Sequence, residues 1–469
     1  MLTILSTSLL ALSALPQQHP EDGRGQSLFD KDWHAGRRAA LLDFFADKDP
    51  GVIVLRGKAS NPDYREFRQD NNFWYFTGVT TPNAVLVMTT DDRHQILLVP
   101  PSSADLERWM GDLVDPTEAR EITGIEDTRI VGQSGGFGPN NYAGLTALLD
   151  ELSEKYDTFY VQRQPAENWM MSRDNLQGWA REQLRDPFDG RKWREAQFFD
   201  KLKERYPDDE VKDISVTLDG LRVIKTEPEL EAMRRAATAS GRGHEAVMTS
   251  AMPGDYEWQL ASRMAYEFRE AGGMGQGAYA PIVGSGISAC TLHYNENKKQ
   301  LAEGEVVMID YGAEYNHYVA DISRTWPVGR TWSERERYVY QAVYDAQEAA
   351  FAVCKPGSTQ AQVHAAARRV LEERGLGDAF WHSTCHWLGM ATHDVGMRNA
   401  RLEPGMVFTV EPGAYLPEEG IGVRIEDVVL ITEDGYELIS AMIPRDADAI
   451  EKLRAQAWDA AEATAATGR

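Results

Sequence analysis

Thiols are scarce in this sequence: three cysteines, Cys290, Cys354 and Cys385, in 469 residues, widely spaced and with no CxxC pair. That pattern indicates neither a disulfide framework nor a thiolate zinc site, and leaves the three as small buried hydrophobes. Basic charge is also short, with 49 Lys and Arg against 73 Asp and Glu and a net charge of −24. A nucleic-acid backbone needs clustered cations, so nucleic acid is not an expected partner. Long apolar runs are missing as well. The apolar stretch at residues 2–15 is too short to span a bilayer, and no membrane partner is expected. Repeats and low-complexity tracts are absent apart from an Ala-rich end after Gln456.

The same stretch, followed by Pro- and Gly-containing residues, has the layout of an export signal's apolar core and cleavage zone, although no Lys or Arg precedes it. Residues 1–26 are therefore read as a signal peptide and linker. The chain is then periplasmic or secreted if the leader is removed, and cytoplasmic otherwise.

The remaining length exceeds one ordinary core and suggests two or three domains. A helical period at residues 37–45 runs into the strand GVIVLRG at 51–57, and further strands follow at 84–88 and 95–99. These open an α/β domain over 27–165. The aromatic cluster Phe73, Trp74, Tyr75 and Phe76 reads as core rather than as a stacking surface for a ligand. A charged, Trp-rich segment then reads as a helical insertion or linker over 166–215. A second domain, 216–455, starts at LRVIKTEPELEAM, where Thr226 and Glu229 form a capping box ahead of a helix. Residues 456–469 are read as a tail.

Chemistry concentrates in the second domain. In VVMIDYGAEYNHYVADISRTW, residues 306–326, an apolar run, a polar turn and a returning strand predict a hairpin. With the turn centred on Tyr315 and Asn316, Asp310 falls opposite Asp321. Opposed side chains lie about 5 Å apart, and two bare carboxylates that close repel unless a proton or a cation sits between them. Three further segments add acids and imidazoles. TLHYNEN carries His293, STCHWLGMATHDVG carries His386 and His393 just after His382, and MVFTVEPG ends an apolar strand on Glu411. In GIGVRIEDVVLIT, Arg424 and Glu426 are two apart and share one face, with Asp427 on the other. Charge placed at the end of an apolar strand implies a cation. Asp310, Asp321, Glu411 and Glu426 bring four negative charges, which two divalent ions would neutralise, with His386 as the nitrogen ligand. An oxygen-rich set with one imidazole suits manganese, and two carboxylate-bridged ions can activate a shared water.

These segments, with RQDNNFWYFTG and LEPGMVFTVEPG, resemble the motifs of the pita-bread dinuclear metallopeptidases and, among them, the aminopeptidase P (Xaa-Pro aminopeptidase) family, in order and approximate spacing over about 27–453. The resemblance implies an α/β N-terminal domain and an α+β pita-bread (creatinase/aminopeptidase-like) catalytic domain. It implies hydrolysis of the bond between an N-terminal residue and proline. Asp310, Asp321, His386, Glu411 and Glu426 would be the metal ligands, Asp321 and Glu426 bridging, and Glu411 would also be the general base. His393 would bond the substrate or the tetrahedral intermediate, His293 would contact substrate on the other flank, and His382 with Arg424 would define the proline pocket. Peptides with proline second would be the substrates, and a homo-dimer or tetramer the assembly. The leader, the charged segment and Cys385 beside His386 depart from the family pattern. The alternatives are an Xaa-Pro dipeptidase (prolidase), with less room beyond proline, and a catalytically silent pita-bread protein that binds peptide.

Overall fold

The computed structural model describes residues 27–61, 66–111, 113–134, 139–167, 172–273 and 277–467, so the expected leader lies outside the described residues. Apolar, β-branched runs form the N-terminal strands: β1 (Val52–Arg56), β2 (Val85–Thr89), β3 (Gln95–Val99), β4 (Asp127–Ile130), β5 (Thr158–Val161) and β6 (Glu210–Asp213). They make one mixed sheet in the order β4-β3-β2-β1-β5-β6, antiparallel from β1 to β3 and parallel at both ends.

That sheet corrects the expected insertion over 166–215. Its helices Arg173–Arg185 and Arg194–Arg205 lead into β6, which pairs with β5 as the sheet's edge, so the segment belongs to the first domain. Its charged surface is the solvent face of amphipathic helices, with Leu176, Ala180 and Leu202 buried beneath.

The second domain begins with the helices Glu227–Ser250 and Glu257–Glu270, and the first carries the expected capping box, the Thr226 N–H donating to Glu229 Oε2 at 2.7 Å. Its strands are β7 (Ile282–Ser285), β8 (Val306–Asp310), β9 (Glu314–Tyr315), β10 (Tyr318–Val319), β11 (Ser323–Pro327), β12 (Val407–Val410), β13 (Gly413–Leu416), β14 (Ile421–Arg424), β15 (Asp427–Ile431) and β16 (Tyr436–Leu438). All their pairings are antiparallel: β11-β8-β7, β10-β9, β12-β15-β16 and β13-β14.

The hairpin exists, but its register differs from the expected one. Tyr318 pairs with Tyr315, so the turn is Asn316-His317, both at positive φ (45° and 69°), as a two-residue primed turn requires. Asp310 consequently faces Ser323, not Asp321. The shift is two residues, an even number, so Asp321 keeps the same face and reaches Asp310 diagonally. At Gly312 the strands come too close for a side chain, since a Cβ would lie 1.9 Å from the Ala320 carbonyl oxygen.

The aromatic cluster is core, as expected. Phe73, Trp74, Tyr75 and Phe76 lie in the short helix Asn71–Thr77 and pack with Leu230, Met233, Tyr318 and Val319 of the second domain, so one apolar cluster crosses the boundary. Ionic contacts reinforce it. Buried Arg68 pairs with Glu314 at 2.8 Å, and Arg222 bonds both Glu167 (2.8 Å) and Asp394 (2.5 Å). The expected tail is also structural. Residues to 467 continue the helix Ala447–Thr467, and Arg454 donates to the Met248, Ala251, Pro327 and Val328 carbonyls. No helix among the described residues is long and apolar enough to cross a membrane.

Replacing Arg222 by Met leaves Glu167 and Asp394 buried against a missing cation. The expected loss is about 3–5 kcal/mol, as for breaking other buried pairs. Urea denaturation checks it, and an unchanged midpoint would show the network to be energetically silent.

Candidate metal centre

Every site residue expected from the sequence lines one cleft of about 730 Å³: Asp310, Asp321, His386, Glu411 and Glu426, with His293, His382, His393 and Arg424 around them. Strand ends bring them together. Asp310 closes β8, Asp321 precedes β11, Glu411 follows β12, and Glu426 sits in the break between β14 and β15. That break splits what reads in sequence as one strand: β14 pairs with β13, β15 with β12, and Glu426 is free of both ladders. The alternation still holds, since Arg424 and Glu426 face the cleft while Asp427 points away to Arg324, Gln347 and Ser440.

His386 occupies the centre. Its Nδ1 pairs with the Trp387 carbonyl (3.1 Å), so Nδ1 carries the hydrogen and Nε2 turns inward. Nε2 lies 3.3 Å from Asp321 Oδ2, 3.6 Å from Glu411 Oε1 and 3.8 Å from Glu426 Oε1. Donor atoms of Asp321, His386 and Glu426 all fall within 4.8 Å of one another. Asp310 joins through Tyr279, whose hydroxyl is 2.6 Å from Oδ1 of both Asp310 and Asp321.

The acids are buried, Asp310 to 8%, Asp321 to 4% and Glu426 to 1% exposure, and the electrostatic strain shows in their titration. Burial, with the Asp321 and Asp310 charges, pushes Glu411 up to about 8. Burial and the neighbouring carboxylates hold Glu426 well above the usual range. Burial raises Asp310 to about 6 against the opposing pull of Arg424. Burial works against ionising Asp321 too, but the hydrogen bond and charge of His386 bring it below the usual value. A phenol has one hydrogen, so Tyr279 can fully donate to only one of the two aspartates at a time. Four acids facing one arginine and one imidazole are under-compensated. The donor set, carboxylate oxygens and one inward imidazole nitrogen, fits hard divalent cations.

Arg424 acts on this cluster directly, bonding Asp310 Oδ2 (2.7 Å), Ser323 Oγ (2.9 Å) and Tyr415 Oη (2.9 Å). His382 Nε2 lies 2.8 Å from the same Tyr415 hydroxyl, and burial holds His382 neutral, down at about 3. His393 leans on His386 with ring centroids 4.1 Å apart, and its Nδ1 is 2.8 Å from Asp174 Oδ2. His293 is exposed at the cleft wall. Sequence reasoning did not single out Tyr279, Tyr415, Ser323 or Asp174. Tyr415 carried a weak signal, standing in the strand after Glu411, while Asp174 carried none.

The sequence pattern described as metallopeptidase family M24 matches residues 231–433, and that of the aminopeptidase P N-terminal domain matches 34–137. The Xaa-Pro aminopeptidase of Escherichia coli is 31% identical over 454 residues, covering 89% of this chain and 96% of its own. The solved structure of E. coli aminopeptidase P with the inhibitor Pro-Leu superposes with a TM-score of 0.76 at 26% identity, covering 92% of this chain and 99% of that one. The Pseudomonas aeruginosa aminopeptidase PepP gives 0.77 at 29%, covering 92% and 100%.

The raised carboxylates make a prediction for the metal-free protein. Glu411 moves from 4.5 to about 8 on folding, so between those values the folded state binds more protons than the unfolded, and stability falls as pH rises. Calorimetry should show a lower thermal midpoint at pH 8 than at pH 5, with a smaller fall in Glu411→Gln. A midpoint that rises over that range contradicts the assignment.

Proposed function

This chain belongs to the Xaa-Pro aminopeptidases of metallopeptidase family M24, and on that premise we propose that its cleft binds two manganese ions through Asp310, Asp321, His386, Glu411 and Glu426 and admits peptides with proline in the second position. It is a metal-dependent aminopeptidase, a metallo-exopeptidase that hydrolyses the N-terminal Xaa-Pro bond. The observation that carries the reading is the convergence of four under-compensated carboxylates and the inward His386 nitrogen in one cleft with three further imidazoles.

Divalent ions held there would polarise the scissile carbonyl and make water a nucleophile near neutral pH. The chain's own groups do the rest. A Glu411 carboxylate oxygen takes a proton from the attacking water as the new C–O bond forms, and returns it to the prolyl nitrogen as the C–N bond breaks. That nitrogen has no hydrogen in an Xaa-Pro amide, so the delivered proton is the one that makes it a secondary amine. His393 bonds the tetrahedral intermediate, its Nε2 accepting from the hydroxyl that the attacking water leaves on the carbon. His382, neutral and tied to Tyr415, walls the ring pocket, and Arg424 acts through Asp310 and Tyr415. His293 contacts the substrate from the opposite wall. Assembly as a dimer or tetramer and export through residues 1–26 belong to the same proposal, and light scattering and cell fractionation read them.

The dipeptidase and the silent-binding alternatives are not favoured, because the Escherichia coli and Haemophilus influenzae relatives that match along most of the chain are named Xaa-Pro aminopeptidases. Chelator-stripped protein reloaded with manganese should release the first residue of an Xaa-Pro-Pro tripeptide faster than it splits an Xaa-Pro dipeptide. Preference for the dipeptide would make the protein a prolidase, and bound metal without turnover would make it a binding protein.

A further inference from the structure

We propose that Asp174, contributed by the N-terminal domain, is the positioning residue of His393: its carboxylate accepts the Nδ1 hydrogen and turns Nε2 into the cleft. The proposal rests on the reading of His393 given above. Asp174 stands in the first turn of the helix Arg173–Arg185, and its Oδ2 lies 2.8 Å from His393 Nδ1, a partner 219 positions away in sequence. Both side chains line the cleft.

Two independent features show that His393 is held rather than merely near. Its backbone is left-handed, φ +53°, a conformation a non-glycine residue keeps only when its surroundings impose it. The flanking residues are gripped by groups from outside the second domain's strands. Arg68 and Asn71 donate to the Met390 carbonyl at 3.2 Å, the Arg173 N–H donates to the Thr392 carbonyl at 3.2 Å, and Arg222 bonds Asp394 at 2.5 Å. Those bonds fix the backbone, and the contact with the His386 ring limits the imidazole's swing, but neither settles which ring nitrogen carries the hydrogen. Asp174 settles it by accepting at Nδ1. A ring that presents one nitrogen to a site has its tautomer set by the bond its other nitrogen makes. His386 shows the same device with a neighbouring carbonyl, whereas His393 has its partner supplied across the domain boundary. The N-terminal domain thus completes the arrangement of the site within one chain. Asp174 is 62% exposed, so its replacement leaves the cores intact.

The test is a double-mutant cycle on the full-length, metal-loaded protein with an Xaa-Pro-Pro tripeptide. Asp174→Ala should lower kcat/KM by about 10- to 100-fold, as loss of an orienting partner does, with the fall in kcat and little in KM. Asp174→Asn, which keeps an acceptor oxygen, should recover most of it. Combining Asp174→Ala with His393→Ala should be no worse than His393→Ala alone, with metal content and thermal midpoint unchanged in every variant. Full multiplication of the two effects, or an Asp174→Ala enzyme equal to the wild type, overturns the proposal. An independent readout stands even if the wild type turns over no Xaa-Pro peptide, an outcome that would sink the functional reading instead. In 15N-histidine spectra of the metal-free protein, the signal lost in His393→Ala should report an Nδ1–H tautomer, and it should change in Asp174→Ala. An unchanged tautomer overturns the positioning role.

Discussion

Like-charge repulsion among Asp310, Asp321, Glu411 and Glu426 is the condition the rest of the second domain answers to. In water the four would keep apart. Here strand ends bring Asp321, Glu411 and Glu426 to within 3.8 Å of one imidazole nitrogen and Asp310 onto the Tyr279 hydroxyl that Asp321 shares. Burial of the two aspartates and Glu426, with Glu411 half-buried beside them, removes solvent that would screen them. The protein supplies part of the compensation itself. Arg424 lies on Asp310, Tyr279 bridges the two aspartates, and the Ser323 hydroxyl donates to Glu426 at 2.7 Å. The remainder appears as carboxyl groups held far above their ordinary range. Carboxyl groups held this high give up protons when divalent cations bind them, because a metal ligand must be deprotonated.

Such a site needs a stiff frame, and the frame is shared between the domains. The hairpin that carries the two aspartates ends in Asn316 and His317, and the tip is buried in the first domain, where His317 stacks on Trp74 with centroids 4.1 Å apart. Arg68 joins that tip to the segment before His393 by bonding Glu314, the His317 carbonyl and the Met390 carbonyl. Motion of either the aspartate hairpin or the histidine loop therefore strains the same buried network. The N-terminal domain acts as part of the catalytic scaffold as well as covering it.

The chemistry-bearing residues were legible in the sequence because an acid at the end of an apolar strand, such as Glu411 after β12, is costly to bury unless a cation or a partner compensates it. The period of two placed Arg424 and Glu426 together and Asp427 apart, and it held although the break in the strand falls between Arg424 and Asp427, since Arg424 and Glu426 still both line the cleft. The hairpin was legible in kind but two residues off in register, since only the paired left-handed residues Asn316 and His317 reveal the turn's centre. The segment over 166–215 was misread because a charged amphipathic helix and a solvated linker have similar compositions, and the pairing of β6 with β5 joins residues about 50 positions apart. Tyr279, Ser323 and Asp174 were illegible for a related reason, as their roles exist only through partners that tertiary structure delivers.

The most direct test of the central claim is calorimetric titration of chelator-stripped protein with manganese at about pH 6, repeated in two buffers of different ionisation enthalpy so that released protons are counted. The predicted result is two ions bound per chain with net release of protons, because Glu411 and its neighbours give up protons as the cations arrive. Binding without proton release, or no stoichiometric binding, would contradict the assignment of the carboxylate cluster as the metal centre.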